Sequence, residues 1–272
     1  MSPAGPPSAG VDGSVTFGLG PASSGTAQRT ALSAFQWVLM GATGCRSTVR
    51  VFDSYGELLD QLEGLTFAWL PPATFVRAQT RMPLTIVRGI LRGTSNRYRS
   101  VLFTREGPEV PDLAALQGVR VAWVDRDSCS GHLFPRLALR STGLHPHDVF
   151  AEEFFLGSHG AVVDAVGGGF TDVGATYLRT EGDGTVLDEA FTEGSRHYRV
   201  LLVSDPIPAD VIVAGPTATD REMDALRHAL DGLSSHDEGR ALMSGIFDAP
   251  CFVETTAADY QVVRDALAAL LA

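Results

Sequence analysis

The side chains best suited to bind a ligand or to react lie in a short polar stretch, Ser128–Gly131, which holds two hydroxyls and a thiol. Before it, apolar residues alternate along Val119–Val124, a pattern typical of a buried strand. The apolar run after it contains Pro135, which is tolerated only in the first turn of a helix, so a helix start is predicted near Ser130. Unpaired N–H groups, the positive end of a helix dipole and two hydroxyls would therefore meet at the end of a strand, and such a place binds anions.

A simpler interpretation of the same residues is structural. Ser128 and Ser130 alone are best explained as helix caps, since serines commonly occupy that position. A further polar candidate, His159, falls at the start of another predicted helix, Ala161–Val166, where a histidine is more often a cap than a ligand. These residues alone would not identify an anion site.

The elements needed to position these groups alternate along the N-terminal part of the chain. The patterns predict strands and helices in the order Val15–Gly20, helix Thr30–Met40, strand Thr48–Phe52, helix Glu57–Glu63 and strand Leu65–Trp69. This alternation indicates a parallel sheet with helices on its faces, in which ligands bind at the carboxyl ends of the strands. The Gly- and Ser-rich loop Pro21–Gly25 is open to two interpretations, a ligand-facing loop and a plain turn.

Composition excludes several classes of function. The net charge is -11 with the acidic residues scattered, so we expect no nucleic-acid partner. All 21 basic residues are arginines, which excludes a Schiff-base lysine and a P-loop lysine. The three cysteines lack metal-site spacing, and their odd number argues against a disulfide framework. We expect no cofactor, no metal, and no membrane span, because no segment reaches about 18 apolar residues.

Four segments resemble, in the same order, the phosphate, phosphite and phosphonate substrate-binding proteins of ABC transporters. In that family a short lead-in, a strand, a Ser-Thr-Ser-Gly turn and a helix beginning with Phe-Pro follow one another. Several motifs in family order over most of the chain are far more specific than any one of them. The matching segments are Asp112–Leu144, Gly157–Val163, Thr171–Ala175 and Ser204–Asp210.

The resemblance implies an α/β fold of the two-lobed type II periplasmic binding protein class, with parallel-rich sheets joined by two hinge strands. Ser100–Thr104 and Arg199–Ser204 are predicted to cross between the lobes, which are expected to close over a ligand. The expected partners are a small-molecule oxyanion and an ABC permease, and we expect a monomer. The predicted boundaries are a disordered leader at 1–14, lobe one at 15–104 and 205–272, and lobe two at 105–204.

The resemblance also implies the binding residues. A tetrahedral phospho-oxyanion would be held by N–H groups at 130–132, by serine hydroxyls and by Tyr55, which is otherwise as readily a packing residue at a helix edge. His159 would donate to a ligand oxygen. Asp210 matches an aspartate that meets the amine of aminophosphonates, although a loop-capping role fits it equally well. The predicted ligand-binding set is Tyr55, Ser128, Cys129, Ser130, Gly131, His159 and Asp210.

Two departures from the family pattern affect the ligand. At Leu70–Thr74 two prolines replace a glycine and polar groups, so a rigid loop with few donors is expected there. After Asp172, which we interpret as structural, no acidic residue follows until Glu181, so a ligand ammonium would lack one counter-charge. The resemblance therefore leaves phosphonate, phosphite and phosphate open.

Cys129 stands where the family pattern has a threonine, and this keeps an alternative function open. We favour a small isostere that preserves the turn. Otherwise a thiol at a helix start, with His159 across the cleft, would have a depressed pKa and could act as the nucleophile of a recruited cytoplasmic enzyme. A third alternative is a ligand sensor that signals to a partner protein.

The expected location also has two alternatives. Residues 1–14 are rich in Pro, Gly and Ser and lack the charged start and apolar core of a secretory signal. Exported members of the family carry a signal or a lipid anchor. Either such a signal has been removed and the protein works in the periplasm or outside the cell, or the protein is cytoplasmic.

Overall fold

The computed structural model describes residues 13–21, 26–107, 109–110, 112–181, 184–186 and 198–271. Nearly all of the predicted leader and the predicted loop after Pro21 lie outside these residues. Among the described helices, none combines the length and the apolar character that crossing a bilayer requires.

Thirteen strands occur in the described residues and form two sheets. In chain order they are β1 Ser14–Leu19, β2 Arg46–Val51, β3 Phe67–Leu70, β4 Thr85–Leu91, β5 Arg97–Arg105, β6 Val119–Trp123, β7 Phe150–Phe155, β8 Val173–Glu181, β9 Gly184–Val186, β10 Tyr198–Val203, β11 Ile207–Pro208, β12 Val211–Ala214 and β13 Cys251–Val253.

The helices of the same described part pack on both faces of these sheets. They are α1 Thr26–Thr43, α2 Tyr55–Gln61, α3 Pro72–Arg81, α4 Phe134–Ser141, α5 Pro146–Val149, α6 His159–Gly167, α7 Asp220–Ser234, α8 Asp237–Phe247 and α9 Gln261–Leu271.

The first sheet has the order β13-β4-β12-β3-β1-β2. Only β1 pairs in parallel, with β2 and β3, whereas β12 is antiparallel to both β3 and β4. The second sheet has the order β10-β5-β8-β6-β7, in which β6 is parallel to β7 and β8. The α/β class with two sheets is therefore confirmed, and each sheet is mixed.

The core of the first sheet lies on both of its faces. Helices α1, α7 and α8 cover one face, where Phe17 meets Phe35 edge to face at 5.1 Å between ring centroids. Helices α2, α3 and α9 cover the other, where Phe75 meets Tyr260 at 4.8 Å. That second cluster also contains Cys129 and Leu133, which follow the second sheet's strand β6. The hydrophobic core is therefore continuous between the two sheets.

One predicted loop is wrong. Leu70–Thr74 is not a rigid loop, because helix α3 begins at Pro72. A proline in the first turn costs no hydrogen bond, since the N–H of that position has no partner in the helix. The ten-residue helix α3 therefore stands in place of the expected loop.

The predicted crossing strands lie side by side. Ser100–Thr104 falls within β5 and Arg199–Ser204 overlaps β10, and these two strands are antiparallel neighbours in the second sheet. Residues 92–96 and 204–210 connect them to the first sheet. The domain boundaries given above stay a prediction.

Candidate functional site

The polar stretch after β6 forms a tight helical start. Ser128 is its N-cap, and the side-chain Oγ of Ser128 accepts a hydrogen bond from the N–H of Gly131 at 3.0 Å. The helical backbone begins at Cys129 as a π-turn that continues into α4. The predicted helix start near Ser130 is therefore correct to within one residue.

Gly131 is required at its position by close packing. A Cβ on Gly131 would lie 2.4 Å from the Cγ2 atom of Val124, closer than real side-chain contacts allow. The expectation that the N–H groups at 130–132 all face a ligand needs correction, because the N–H of Gly131 already donates to Ser128. The helix cap therefore uses the N–H of Gly131, one of the donors that the resemblance assigned to the oxyanion.

Ser130 is held in place by the second sheet. The Ser100 hydroxyl on β5 donates to the Ser130 carbonyl at 2.6 Å, and the Ser100 N–H donates to Ser204 Oγ at 2.9 Å. Ser130 itself is only 3% exposed. The turn is therefore hydrogen-bonded to β5, and β5 is hydrogen-bonded to the connection at Ser204.

Cys129 is buried against the first sheet's helices and stays protonated. Burial raises the pKa of its thiol to about 12, with the N–H of Ala73 opposing the shift and the charge of Asp210 adding to it. The expected depressed pKa of Cys129 is therefore wrong, because loss of water outweighs the helix start.

Tyr55 forms the opposite wall. It is the first residue of α2, which Ser54 caps by accepting from the N–H of Glu57 at 3.1 Å. Its ring lies on the backbone of Gly20, where a Cβ would be 2.1 Å from Cε1. Burial raises the pKa of Tyr55, and the negative charge of Asp210 adds to the rise. The Tyr55 hydroxyl therefore remains a hydrogen-bond donor at any physiological pH.

Asp210 is already paired. Its Oδ2 lies 2.8 Å from Nη2 of Arg92, and Asp210 has a side chain only 12% exposed. Arg92 also donates to the carbonyls of Asp248 at 3.0 Å and Phe247 at 3.2 Å. A ligand amine approaching Asp210, as the resemblance implies, would compete with this arginine.

Two tyrosines that the sequence did not assign to the site lie near the same carboxylate. Burial raises the pKa of Tyr98, and the negative charge of Asp210 contributes to the rise. Burial likewise raises the pKa of Tyr260, whose hydroxyl donates to the Ala209 carbonyl at 2.6 Å. The negative charge of Asp210 raises the pKa of four groups, so all four lie near the Arg92–Asp210 ion pair. They are Tyr55, Cys129, Tyr98 and Tyr260.

His159 lies at the start of α6 and contacts the second sheet. Its Nδ1 is 2.9 Å from the hydroxyl of Thr176, and its ring meets that of Tyr177 edge to face at 4.8 Å. Tyr177 is directly opposite Ser100 in the β5–β8 ladder, and Ser100 holds the Ser130 carbonyl. His159 is therefore connected to the polar turn through these neighbours.

The loop between β6 and the polar turn carries two further acidic residues. Asp125 accepts from the N–H of Asp127 at 2.7 Å, and burial raises the pKa of Asp125. The charge of Asp125 also raises the pKa of Tyr55, which brings it into the same region. Asp125 could not be assigned a role from the sequence, because acidic residues in a turn give no local signal of binding. Among the described residues, no group of His, Cys, Asp and Glu could hold a metal ion.

Asp172 has the structural role expected of it. Its carboxylate accepts from the backbone N–H of Arg120 at 2.8 Å and from the side chain of the same residue at 2.9 Å. It ties the start of β8 to β6, and the Arg120 guanidinium lowers the pKa of Asp172.

A family model described as "ABC transporter, phosphonate, periplasmic substrate-binding protein" matches residues 17–260. Solved structures with the same fold include PhnD1 from Prochlorococcus marinus in complex with methylphosphonate, at 15% identity and a TM-score of 0.75, covering 95% of this chain and 98% of that one. A Xanthomonas citri protein bound to ATP has 16% identity and a TM-score of 0.75, covering 95% and 97%.

A binding protein component of an ABC phosphonate transporter from Pseudomonas aeruginosa is similar to the same degree. It has 16% identity and a TM-score of 0.74, and the match covers 94% of this chain and 86% of that one. Structural likeness at such identities establishes the type II periplasmic binding protein fold. The match to the family model assigns the chain to a family within that fold.

Proposed function

The chain belongs to the family of periplasmic substrate-binding proteins of phosphonate ABC transporters, and from this premise we propose that it captures a phosphonate or a related phospho-oxyanion between its two sheets. The lobes that close over the ligand are 15–104 with 205–272 and 105–204. The proposed contacts are the hydroxyls of Tyr55, Ser128 and Ser130, with His159 as a further donor.

The observation that carries this proposal is the helix start at Cys129, placed at the carboxyl end of β6 and facing helices of the first sheet. A helix start favours anions, and neutral donors in a closed cleft can hold a dianion without a lysine or a dedicated arginine. Tyr55 fits the same role, because its hydroxyl is protonated and available as a donor.

Asp125 is the carboxylate best placed to extend the site to a ligand with an amine. Asp210 is neutralised by Arg92, whereas the electrostatic influence of Asp125 reaches Tyr55 and Cys129 on both walls. An ammonium near Asp125 would also lower the repulsion between this carboxylate and the phosphonate. We therefore propose that an aminophosphonate binds more tightly than the alkylphosphonate that lacks its amine.

We propose binding without turnover. A nucleophilic cysteine must be a thiolate, and burial raises the pKa of the Cys129 thiol to about 12. The partner that this role requires is an ABC permease, and the binding protein acts as a monomer.

The test is a thermal-shift screen with phosphate, phosphite, methylphosphonate, 2-aminoethylphosphonate, ethylphosphonate and sulfate, followed by calorimetric titration of any ligand that binds. A ligand at a hundred times its dissociation constant adds about 2.7 kcal/mol of stability, a readily measured shift in Tm. Asp125→Asn should remove the preference for 2-aminoethylphosphonate over ethylphosphonate.

Two substitutions test the proposed contacts. Ser130→Ala and His159→Ala should each weaken phosphonate binding by about tenfold or more, since each removes a donor to a charged group. Ser33→Ala on α1 and His228→Ala on α7 are matched controls, because the hydrogen bond that each residue forms within the described part of the chain is exposed. Unchanged affinity in both site variants would show that the anion does not bind at this turn. Absence of any shift in the screen would contradict the proposed ligand class.

A further inference from the structure

A second concave site lies between the two sheets, beside the polar turn, since Arg126 before that turn and His132 and Leu133 after it line the site. It is a groove of about 1220 Å³ whose walls come from α3 and α9 on one side and from β7, α4 and the residues around α5 on the other. None of the seven predicted ligand-binding residues lines it. Five arginines do, in a chain whose net charge is -11: Arg77, Arg126, Arg136, Arg140 and Arg264.

Two of these arginines have acidic partners. Arg136 pairs with Glu153 at 2.5 Å, and Glu153 is the one carboxylate among the residues that line the groove. Arg77 pairs with Asp127 at 2.5 Å on the rim. These pairs neutralise two of the five positive charges.

The other three arginines form no ion pair with any carboxylate in the described part of the chain. The guanidinium of Arg126 stacks over the ring of Phe155 at 4.6 Å. Arg140 donates to the carbonyl of Ala269 at 2.6 Å, near the end of α9. The third, Arg264, donates to neutral acceptors only, which are the Ala257 carbonyl and the side-chain oxygens of Gln79 and Gln261.

Three uncompensated guanidinium groups in one concavity concentrate positive potential, because low-dielectric walls focus the field of the charges that line them. Arginine presents planar forks of N–H donors that match phosphate oxygens in pairs. Ligand pockets commonly measure about 300–1,000 Å³, so a single phosphonate group would leave this groove largely empty. We propose that the groove binds a small molecule that carries a chain of two or more phosphate groups.

The position of the groove gives such a ligand a second effect. Arg264 belongs to α9, which packs on the first sheet, whereas Arg126 and Arg140 follow strand β6 of the second sheet. A polyphosphate bridging them would contact both halves of the molecule and favour the arrangement in which they are close. By linkage, the same ligand would then change the affinity of the interlobe cleft, and a cleft ligand would change the affinity of the groove.

Calorimetric titration of the full chain at low salt tests the proposal, with inorganic triphosphate as the probe and pyrophosphate, ATP and a polyglutamate peptide in parallel. The double variant Arg126→Gln/Arg140→Gln should bind triphosphate at least about tenfold more weakly than the wild type, since it loses two charged donors. Arg50→Gln is the matched control, because Arg50 stacks over Phe52 at 4.7 Å just as Arg126 stacks over Phe155, but lies outside the groove. Thermal unfolding verifies that each variant is folded, and Arg264→Gln replaces the double variant if that protein does not fold.

Ser130→Ala separates the groove from the cleft and should leave triphosphate binding unchanged. Equal affinity for ATP and triphosphate would assign recognition to the phosphate chain, and tighter binding of ATP would add a contact to the nucleoside. Failure of the wild type to bind any of the three phosphates would overturn the proposal, as would loss of binding in Ser130→Ala with retention in the double variant. Binding of polyglutamate without triphosphate would overturn it as well and assign the groove to an acidic segment of a partner protein.

Discussion

Arg77 and Asp127 form an ion pair that joins the two halves of the molecule, with 2.5 Å between Nη1 and Oδ1. Arg77 lies on α3 of the first sheet, and Asp127 directly precedes Ser128, the cap of the polar turn. The side chains are 41% and 42% exposed, so water and salt screen the pair. The pair holds the proposed anion-binding turn against the opposite wall of the cleft.

Arg77→Gln should weaken phosphonate binding by up to about fivefold, because an exposed ion pair contributes about 0.2–1 kcal/mol and this one forms between the closing halves. Calorimetric titration measures the change, and it should shrink in high salt. The control is Arg81→Gln, since Arg81 pairs with Asp60 at 3.0 Å within the first half alone. An equal loss of affinity in both variants would contradict a role in closure.

Gly20→Ala should weaken ligand binding by displacing the ring of Tyr55, which lies where the new Cβ would be. We expect a loss of about tenfold, comparable to removing one donor to the anion. Gly41→Ala on α1 is the control, because nothing lies within 4 Å of its added Cβ. A Gly20→Ala protein that binds phosphonate like the wild type would exclude Tyr55 from the site.

His132 should make the protein less stable in acid. Burial lowers the pKa of His132 from 6.5 to about 4, and the positive charge of Arg136 adds to the effect. Because the unfolded chain binds this proton more readily than the folded one, the free energy of unfolding falls as pH drops below about 6.5, by about 2 kcal/mol between pH 7 and pH 5.

Urea unfolding at the two pH values measures this change. His132→Gln keeps a donor for the Arg126 carbonyl, which His132 Nδ1 contacts at 3.1 Å, and should flatten the dependence on pH. His228→Gln, a substitution of a histidine with an exposed hydrogen bond, should leave the dependence as it is in the wild type. If the free energy of unfolding depends equally on pH in all three proteins, His132 does not cause the loss of stability in acid.

Cys129 should be the least reactive of the three cysteines. With a pKa of about 12, roughly one thiol in 10,000 is ionised at pH 8, and the side chain is buried, whereas Cys45 and Cys251 are half-buried. Alkylation with iodoacetamide followed by mass spectrometry should modify Cys129 last in the folded protein and all three in urea. Preferential modification of Cys129 in the folded protein would restore the hypothesis of a recruited enzyme.

Local sequence patterns predicted the parts of the site that depend on near neighbours. Ser128 was recognised as a possible helix cap because a capping side chain accepts a hydrogen bond from an N–H only three residues further along the chain. Asp172 was recognised as structural from its place at a strand start. Tyr98, in contrast, belongs to no motif, and its position near Cys129 and Asp210 arises only when the strands associate.

Longer-range features could not be predicted from local patterns. Arg92 and Asp210 are far apart in the chain, and their pairing depends on β12 lying beside β4. The helix α3 was missed because two prolines in succession suggested a loop, although the first precedes the helix and the second opens it. The arginine-lined groove takes its walls from three separate parts of the sequence, residues 76–80, 126–155 and 264–270, so no single segment predicts it.

The order of strands in the first sheet has a consequence for how the chain is made. Strands β3 and β4 are not neighbours, because β12 lies between them, and β4 ends at Leu91 while β12 begins at Val211. A nascent chain leaving the ribosome therefore presents β3 and β4 with unpaired edges while the whole second sheet is being translated, and unpaired edges invite aggregation. The second sheet, contiguous in sequence, can fold first, and the first sheet is closed only when β12 emerges and fills the gap.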